Sequence, residues 1–230
     1  MSKTKTQDRL NIISYNLKYH RASIELYDLV NQYAADVLCV QECYSEQLPV
    51  NIGELTLAEK TRSNRLGLAI YYKPSRFSIR HTDSYPLKKS IYDRFFVPAE
   101  ERLLVTKLFD KRSGQEVLIG SFHATHIIAG NHVRRNQIYT AHQRLSELSD
   151  GSPTIMVGDY NYPLFRRNLK VFIEKSGYKL TLSDKPTYYL TKLIGTHLDL
   201  TTSLNAKVEK VMTLPKGISD HAPILVQAII

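Results

Sequence analysis

TIMVGDYNYP (154–163) joins an apolar run, Ile155-Met156-Val157, to a polar ending in which Asp159 and Asn161 flank Tyr160. In extended chain alternate residues share a face, so Asp159 and Asn161 point one way and Tyr160 the other. Asp and Asn are poor strand residues and common turn residues, so a plain turn competes with a second reading. In that reading a carboxylate and an amide stand side by side at the rim of a sheet. The choice depends on whether other strands end in matching groups.

Several do. LNIISYN (10–16) ends in Asn16, DVLCVQE (36–42) in Glu42 and EVLIGSFH (116–123) in His123. THLDLTT (196–202) carries Asp199, and KGISDHAP (216–223) places Asp220 and His221 just before the last apolar run. If these ends converge, so many carboxylates raise one another's pKa unless a cation intervenes. An oxygen-rich, sulfur-poor set suits Mg²⁺, which takes one or two protein carboxylates and completes its octahedron with water and phosphate oxygens. Asp199 and His221 make a pair in which a carboxylate orients an imidazole as general base. Metal, base and amides together are equipment for hydrolysing a phosphoester.

The whole chain agrees with that chemistry. Its 230 residues suit one domain over 9–230 after a loose basic tail, 1–8. Lys and Arg number 31 against 22 Asp and Glu, a net +9 that favours nucleic acid, anionic headgroups or phosphorylated small molecules, with plain solubility as the bland alternative. Cys39 and Cys43 fit neither a disulfide framework nor a zinc spacing, and Cys39 in VLCV reads as a buried thiol. No signal peptide or membrane-length apolar run is apparent, so a cytoplasmic protein is expected, a monomer with no obligate protein partner.

Along the chain, 21–34 carries a helical stripe of Ile24, Tyr27, Val30 and Tyr33. Strands are expected at 67–73 and 77–81, and a polar, basic loop at 84–100. A hairpin joins 102–110 to 116–123 across 111–114. The helix 131–149 turns Val133, Ile138, Ala141, Leu145 and Leu148 inward and Arg134, Arg135, His142 and Arg144 outward. A helix over 163–175 buries Phe165, Leu169, Phe172 and Ile173 before a stop at Gly177. Strands near 197–203, 207–213 and 223–229 finish the chain. These near-continuous apolar strands predict a four-layer α/β/β/α sandwich of two mixed β-sheets flanked by helices. His126 reads as a surface loop histidine, with a second site histidine as the alternative. Arg134 and Arg135 open a helix, either touching phosphate or forming a solvated face. Lys88, Lys89, Arg166, Arg167, Lys170 and Lys192 are candidates to line a groove for a polyanion.

SYN (14–16), QE (41–42), SFHATH (121–126), GDYN (158–161), LDL (198–200) and SDH (219–221), in that order, resemble the motifs of the endonuclease/exonuclease/phosphatase superfamily, which includes deoxyribonuclease I-like and exonuclease III-like enzymes. The resemblance spans nearly the whole chain and implies the α/β/β/α sandwich with its site at one end of the paired sheets. It further implies Glu42 as principal metal ligand, helped by Asn16 and Asp220, with Mg²⁺ as the cofactor and Mn²⁺ or Ca²⁺ as substitutes. His221, oriented by Asp199, would activate water; Asp159 would align the nucleophile or serve the leaving group. Asn161, His123 and, by weaker matches, Arg102 and Thr187 would contact the phosphate. The segment TRSNRLG lacks the Glu that supports the histidine in deoxyribonuclease-like members. The expected activity is Mg²⁺-dependent phosphodiester hydrolysis by in-line attack of water, with DNA or RNA as substrate. The alternative is a phosphatase or phosphodiesterase acting on inositol phosphates, phospholipid or another small phosphoester.

Overall fold

Neighbouring residues of the central strands face different cores. Ile12 packs with Val37, Ile70, Ile155 and Val157, while Ile13 packs with Leu26, Val30 and Leu38. Leu118, next to Val117 and Ile119, turns instead to Ile138, Leu145 and Leu169. A strand buried on both faces reads as an unbroken apolar run, and three separate cores require four layers. Each fully buried Leu, Ile or Val in them contributes about 1.5–3 kcal/mol.

The computed structural model describes residues 9–62, 65–90, 101–164, 166–191 and 194–230. The expected tail 1–8, residues 91–100 of the expected loop, Phe165, Lys192 and the side chain of Arg166 lie outside what it describes. The strands are β1 (Arg9–Asn16), β2 (Val37–Cys43), β3 (Asn51–Ile52), β4 (Leu55–Lys60), β5 (Gly67–Tyr72), β6 (Phe77–Pro86), β7 (Glu101–Asp110), β8 (Gln115–His123), β9 (Thr154–Asp159), β10 (Lys179–Thr181), β11 (Tyr188–Tyr189), β12 (Gly195–Thr196), β13 (Asp199–Leu204), β14 (Lys207–Thr213) and β15 (Ile224–Ile229). Among the described residues the helices are α1 (Leu26–Gln32), α2 (Asn131–Ser149) and α3 (Arg166–Lys175), with 3₁₀ turns at Arg21–Glu25, leading into α1, and at Ser45–Gln47.

One sheet runs β14-β15-β1-β2-β5-β4-β3 and the other β10-β13-β9-β8-β7-β6, with β11 and β12 as a separate hairpin. In each sheet two strands are parallel, β1 with β2 and β8 with β9, and each pair is linked through helix. The remaining pairs are antiparallel, so both sheets are mixed as expected. Strand β6 extends five residues past its expected end, to Pro86, because it follows β7 along nearly its whole length.

Two amphipathic readings change. In 21–34 the buried residues are Ala22, Leu26 and Val30, while Ile24 and Tyr27 are exposed, because the 3₁₀ turn before α1 shifts the helical phase. In α2 Arg134 and His142, expected outward, are buried. Each is accepted inside because it is hydrogen-bonded there: His142 lies between the Ser176 and Thr202 hydroxyls, both at 3.0 Å.

Candidate active site

The carboxyl ends of the parallel strands meet at one end of the sandwich. In α/β sheets that is where loops leave the strands and leave room for a ligand. Asn16 closes β1, Glu42 comes next to last in β2, His123 closes β8 and Asp159 closes β9. Strand register sets His123 opposite Asp159 and Asp159 opposite Asp199 at the start of β13. Gly158 makes this approach possible: its φ is +144°, and a side chain there would strike the Phe122 carbonyl on the neighbouring strand.

The two sheets are tied together by Asn16, whose Nδ2 donates to Glu42 Oε1 at 3.2 Å and to Asp159 Oδ2 at 3.1 Å. His123 Nε2 lies 3.8 Å from Glu42 Oε1 and 3.7 Å from Asp159 Oδ2. Asn161, at φ +48°, turns back so that its N–H donates to Asp159 Oδ1 at 2.8 Å, and its side-chain amide stands over the Ala124 carbonyl. The opening stretch is thus both a turn and a site: Asp159 caps the turn that places Asn161. His221 Nδ1 pairs with Asp199 Oδ2 at 2.8 Å, leaving Nε2 3.8 Å from Asp159 Oδ2. An open cleft reaches Glu42, Asp159, Asn161 and His221 of this group, walled also by Lys18, Tyr19, His126, Tyr188 and Asp220.

Burial and mutual charge set the protonation. Burial pushes the Asp159 carboxyl up to about 7, with neighbouring Asp199 and Glu42 adding to the shift and His221 opposing it. For His221 burial alone would lower the imidazole, but Asp199 and Asp159 outweigh it and hold it up at about 10. His123 goes the other way: burial, then Arg102 and His221, keep it neutral well below the usual histidine range. Asp199 Oδ1 is buried and has no hydrogen-bond partner among the described residues.

Glu42 is gripped by an unusual segment. Lys18, Tyr19 and His20 are all left-handed, at φ +46°, +56° and +67°, and so is Glu42 itself at +54°. Non-glycine residues there cost on the order of 1–3 kcal/mol each, so strain collects around one carboxylate. Its Oε2 accepts the Tyr19 N–H at 3.1 Å, and its carbonyl accepts the His20 N–H at 2.8 Å.

Among the described residues no three His, Cys, Asp or Glu side chains form a closed metal cage. The donor set nevertheless fits Mg²⁺, which needs few protein ligands and hard oxygens. Glu42 offers a carboxylate oxygen within the cleft, and Asp220 stands on the rim, 3.4 Å from Lys18 Nζ. Asn16 sits where expected but turns its nitrogen toward the carboxylates, its oxygen accepting the Lys18 N–H at 3.0 Å.

Four sequence readings are revised. Arg102 does not line the cleft: it is buried, and its Nη1 donates to the carbonyls of His123 and Ala124, fixing the end of β8. Thr187 is buried too, its Oγ1 accepting the N–H groups of Leu198 and Asp199, so it places the aspartate that orients His221. His126, read as a surface histidine, forms part of the cleft wall, its carbonyl and that of Ile127 held by buried Arg134. Arg134 is therefore neither a solvated charge nor a free phosphate ligand. Lys18 and Tyr19 in the cleft wall carry no sequence signal beyond a place just past a strand end, since a left-handed turn without glycine leaves no pattern to read.

The family model of the Endonuclease/Exonuclease/phosphatase family matches residues 13–221. The chain belongs to that family. Its members are phosphoric ester hydrolases, and so is this enzyme. No curated protein matches it in sequence. Among solved structures it is similar to the Bacteroides thetaiotaomicron mannosyl-6-phosphatase (18% identity, 96% of this chain and 100% of that one, TM-score 0.75). It is also similar to D. rerio TDP2 complexed with single strand DNA product (15%, 97% and 100%, 0.75) and to the human Nocturnin catalytic domain (17%, 96% and 94%, 0.75). At these identities the likeness shows the shared fold. No helix among the described residues is long and apolar enough to cross a membrane.

Proposed function

We propose that this enzyme is a Mg²⁺-dependent phosphodiesterase whose substrate is nucleic acid. The observation that carries the catalytic reading is the meeting of Glu42, Asp159 and the Asp199–His221 pair in one cleft. Glu42 would hold the ion, with Asp220 and Asn16 beside it. When bound, the ion would supply positive charge that stabilises the phosphate oxygens and favours the deprotonated forms of Asp159 and His221.

The protein's own groups do the rest. His221 Nε2, its ring fixed through Nδ1 by Asp199, faces Asp159 and is the atom where a proton enters or leaves the attacking water. Asp159, beside both histidines, aligns the attacking water or gives a proton to the leaving oxygen as its bond to phosphorus breaks. Neutral His123 donates a hydrogen bond to a phosphate oxygen without bringing charge, and the Asn161 amide fixes the same group from the other side. The net charge of +9, the Lys18 ammonium at the cleft and the half-exposed Tyr19 ring beside it favour a polyanion with stackable bases.

The test sets plasmid, single-stranded DNA, RNA, inositol phosphates and sphingomyelin side by side with Mg²⁺ at two salt concentrations. Nucleic acid should be cleaved fastest, with a steep loss at higher salt, and EDTA should stop the reaction. Turnover confined to small phosphoesters or lipid would replace the nucleic-acid reading, and activity indifferent to EDTA would remove the metal.

A further inference from the structure

We propose that Glu25, outside the cleft, is a positioning residue that latches the loop bearing Asp220 and His221. The inference rests on the catalytic reading above. His221 lies in an irregular connection between β14 and β15, where no sheet ladder fixes its backbone apart from a single bridge to Tyr188. A base that must aim its Nε2 to within a few tenths of an ångström needs another anchor.

The Glu25 carboxylate provides it. Its Oε1 accepts the Ile218 N–H at 2.9 Å and its Oε2 accepts the Tyr15 hydroxyl at 2.8 Å. Tyr15 precedes Asn16 on β1, so one carboxylate joins the 217–218 backbone to the strand that ends in the site. The loop then closes on the same strand: Ser219 Oγ donates to the Asn16 carbonyl at 2.7 Å and accepts the His221 N–H at 3.2 Å. Gly217 lies flat against the latch, and a methyl group there would strike both carboxylate oxygens of Glu25.

The same short segment serves both halves of the site. Residues 18–20 grip Glu42, the 3₁₀ turn Arg21–Glu25 follows directly, and its last residue holds the His221 loop. One rigid turn therefore sets the distance between the carboxylate that would hold the ion and the imidazole that would move the proton.

The experiment measures kcat and KM on bis(p-nitrophenyl) phosphate with Mg²⁺, together with Tm, for Glu25→Ala, Gly217→Ala and their double variant. Glu25→Ala and Gly217→Ala should each lower kcat by about ten- to a hundredfold with KM nearly unchanged. The double variant should be no worse than Glu25→Ala alone, because the added methyl then meets no carboxylate. Equal cost of Gly217→Ala in both backgrounds, or a lowered Tm with full kcat, overturns the latch. If Glu25→Ala does not fold, Glu25→Met, which has no acceptor oxygen, and Tyr15→Phe carry the comparison: each must lower kcat at preserved Tm, and full kcat in either overturns the latch. Loss of the catalytic reading is separate, since it would show as full activity in His221→Ala.

Discussion

Two clusters of buried charge occupy opposite ends of this sandwich, and they are built to opposite ends. Asp36 precedes β2 and Glu42 lies near its other end; Asp110 closes β7 and Arg102 lies near its start. At the Asp36 and Asp110 end, Arg76 is fully engaged. Its Nε and Nη2 reach Asp110 Oδ2 at 3.0 and 2.7 Å, and its Nη1 reaches Asp36 Oδ2 and the Arg9 carbonyl at 2.8 and 2.7 Å. The carboxylates take further N–H groups, Asn11 on Asp36 and Arg112 on Asp110. At the cleft end, Asp159 is held near 7, His221 near 10, and an oxygen of Asp199 has no partner among the described residues. A satisfied network fixes sheet to sheet, whereas an unsatisfied one holds protons and charge in reserve.

The largest expected effect separates the two ends by activity. Glu42→Ala and His221→Ala should each cut turnover of bis(p-nitrophenyl) phosphate by about 10²–10⁴-fold, while thermal denaturation shows a folded enzyme. Equal activity in both variants would mean that the cleft cluster, like the far one, is only structural.

Next comes stability at the far end. Arg76→Met leaves two buried carboxylates without their cation and should cost about 3–5 kcal/mol, read as a lowered denaturation midpoint. Below that midpoint the catalytic rate should stay near wild type. A parallel loss of kcat in the folded variant would show the two ends to be coupled.

His142 tests a third arrangement, a buried neutral group with both nitrogens engaged and its ring stacked on Tyr178 at 3.9 Å. Burial depresses it to about 3. The unfolded chain takes up a proton near the ordinary value of about 6.5, the folded one does not. The stability it lends is therefore complete above that pH and drains as pH falls toward 3, by a few kcal/mol at most. His142→Gln should flatten denaturation midpoints over that window; an unchanged acid slope would assign the loss to other groups.

Much of this was legible in the chain. The strand ends announced themselves because an apolar run stopping at Asn16, Glu42, His123 or Asp159 has no packing reason to finish in those residues. The four layers followed from strands apolar on both faces. The phase of 21–34 was hidden because a 3₁₀ turn shares the composition of a helix but not its period. Arg102, Thr187 and Arg134 were misplaced for one shared reason: a buried polar side chain looks the same in sequence whether it faces a ligand or a backbone carbonyl.

The smallest effect concerns Asp159 and reverses the sign seen for His142. Its folded carboxyl is raised to about 7 against an ordinary value near 3.8, so the folded chain holds a proton that the unfolded chain has lost. The corresponding stability is complete below 3.8 and disappears as pH rises through 7. Asn mimics the protonated acid and keeps the turn to Asn161. In EDTA, Asp159→Asn should therefore gain on wild type by up to about 2–3 kcal/mol between pH 5 and pH 9, the gain levelling off above 7, since only the wild type loses this stability over that window. Midpoints measured at those two pH values decide it. A variant that gains nothing between them would mean that the Asp159–His221 attraction outweighs desolvation, making the cleft cluster a stabilising network like the one around Arg76.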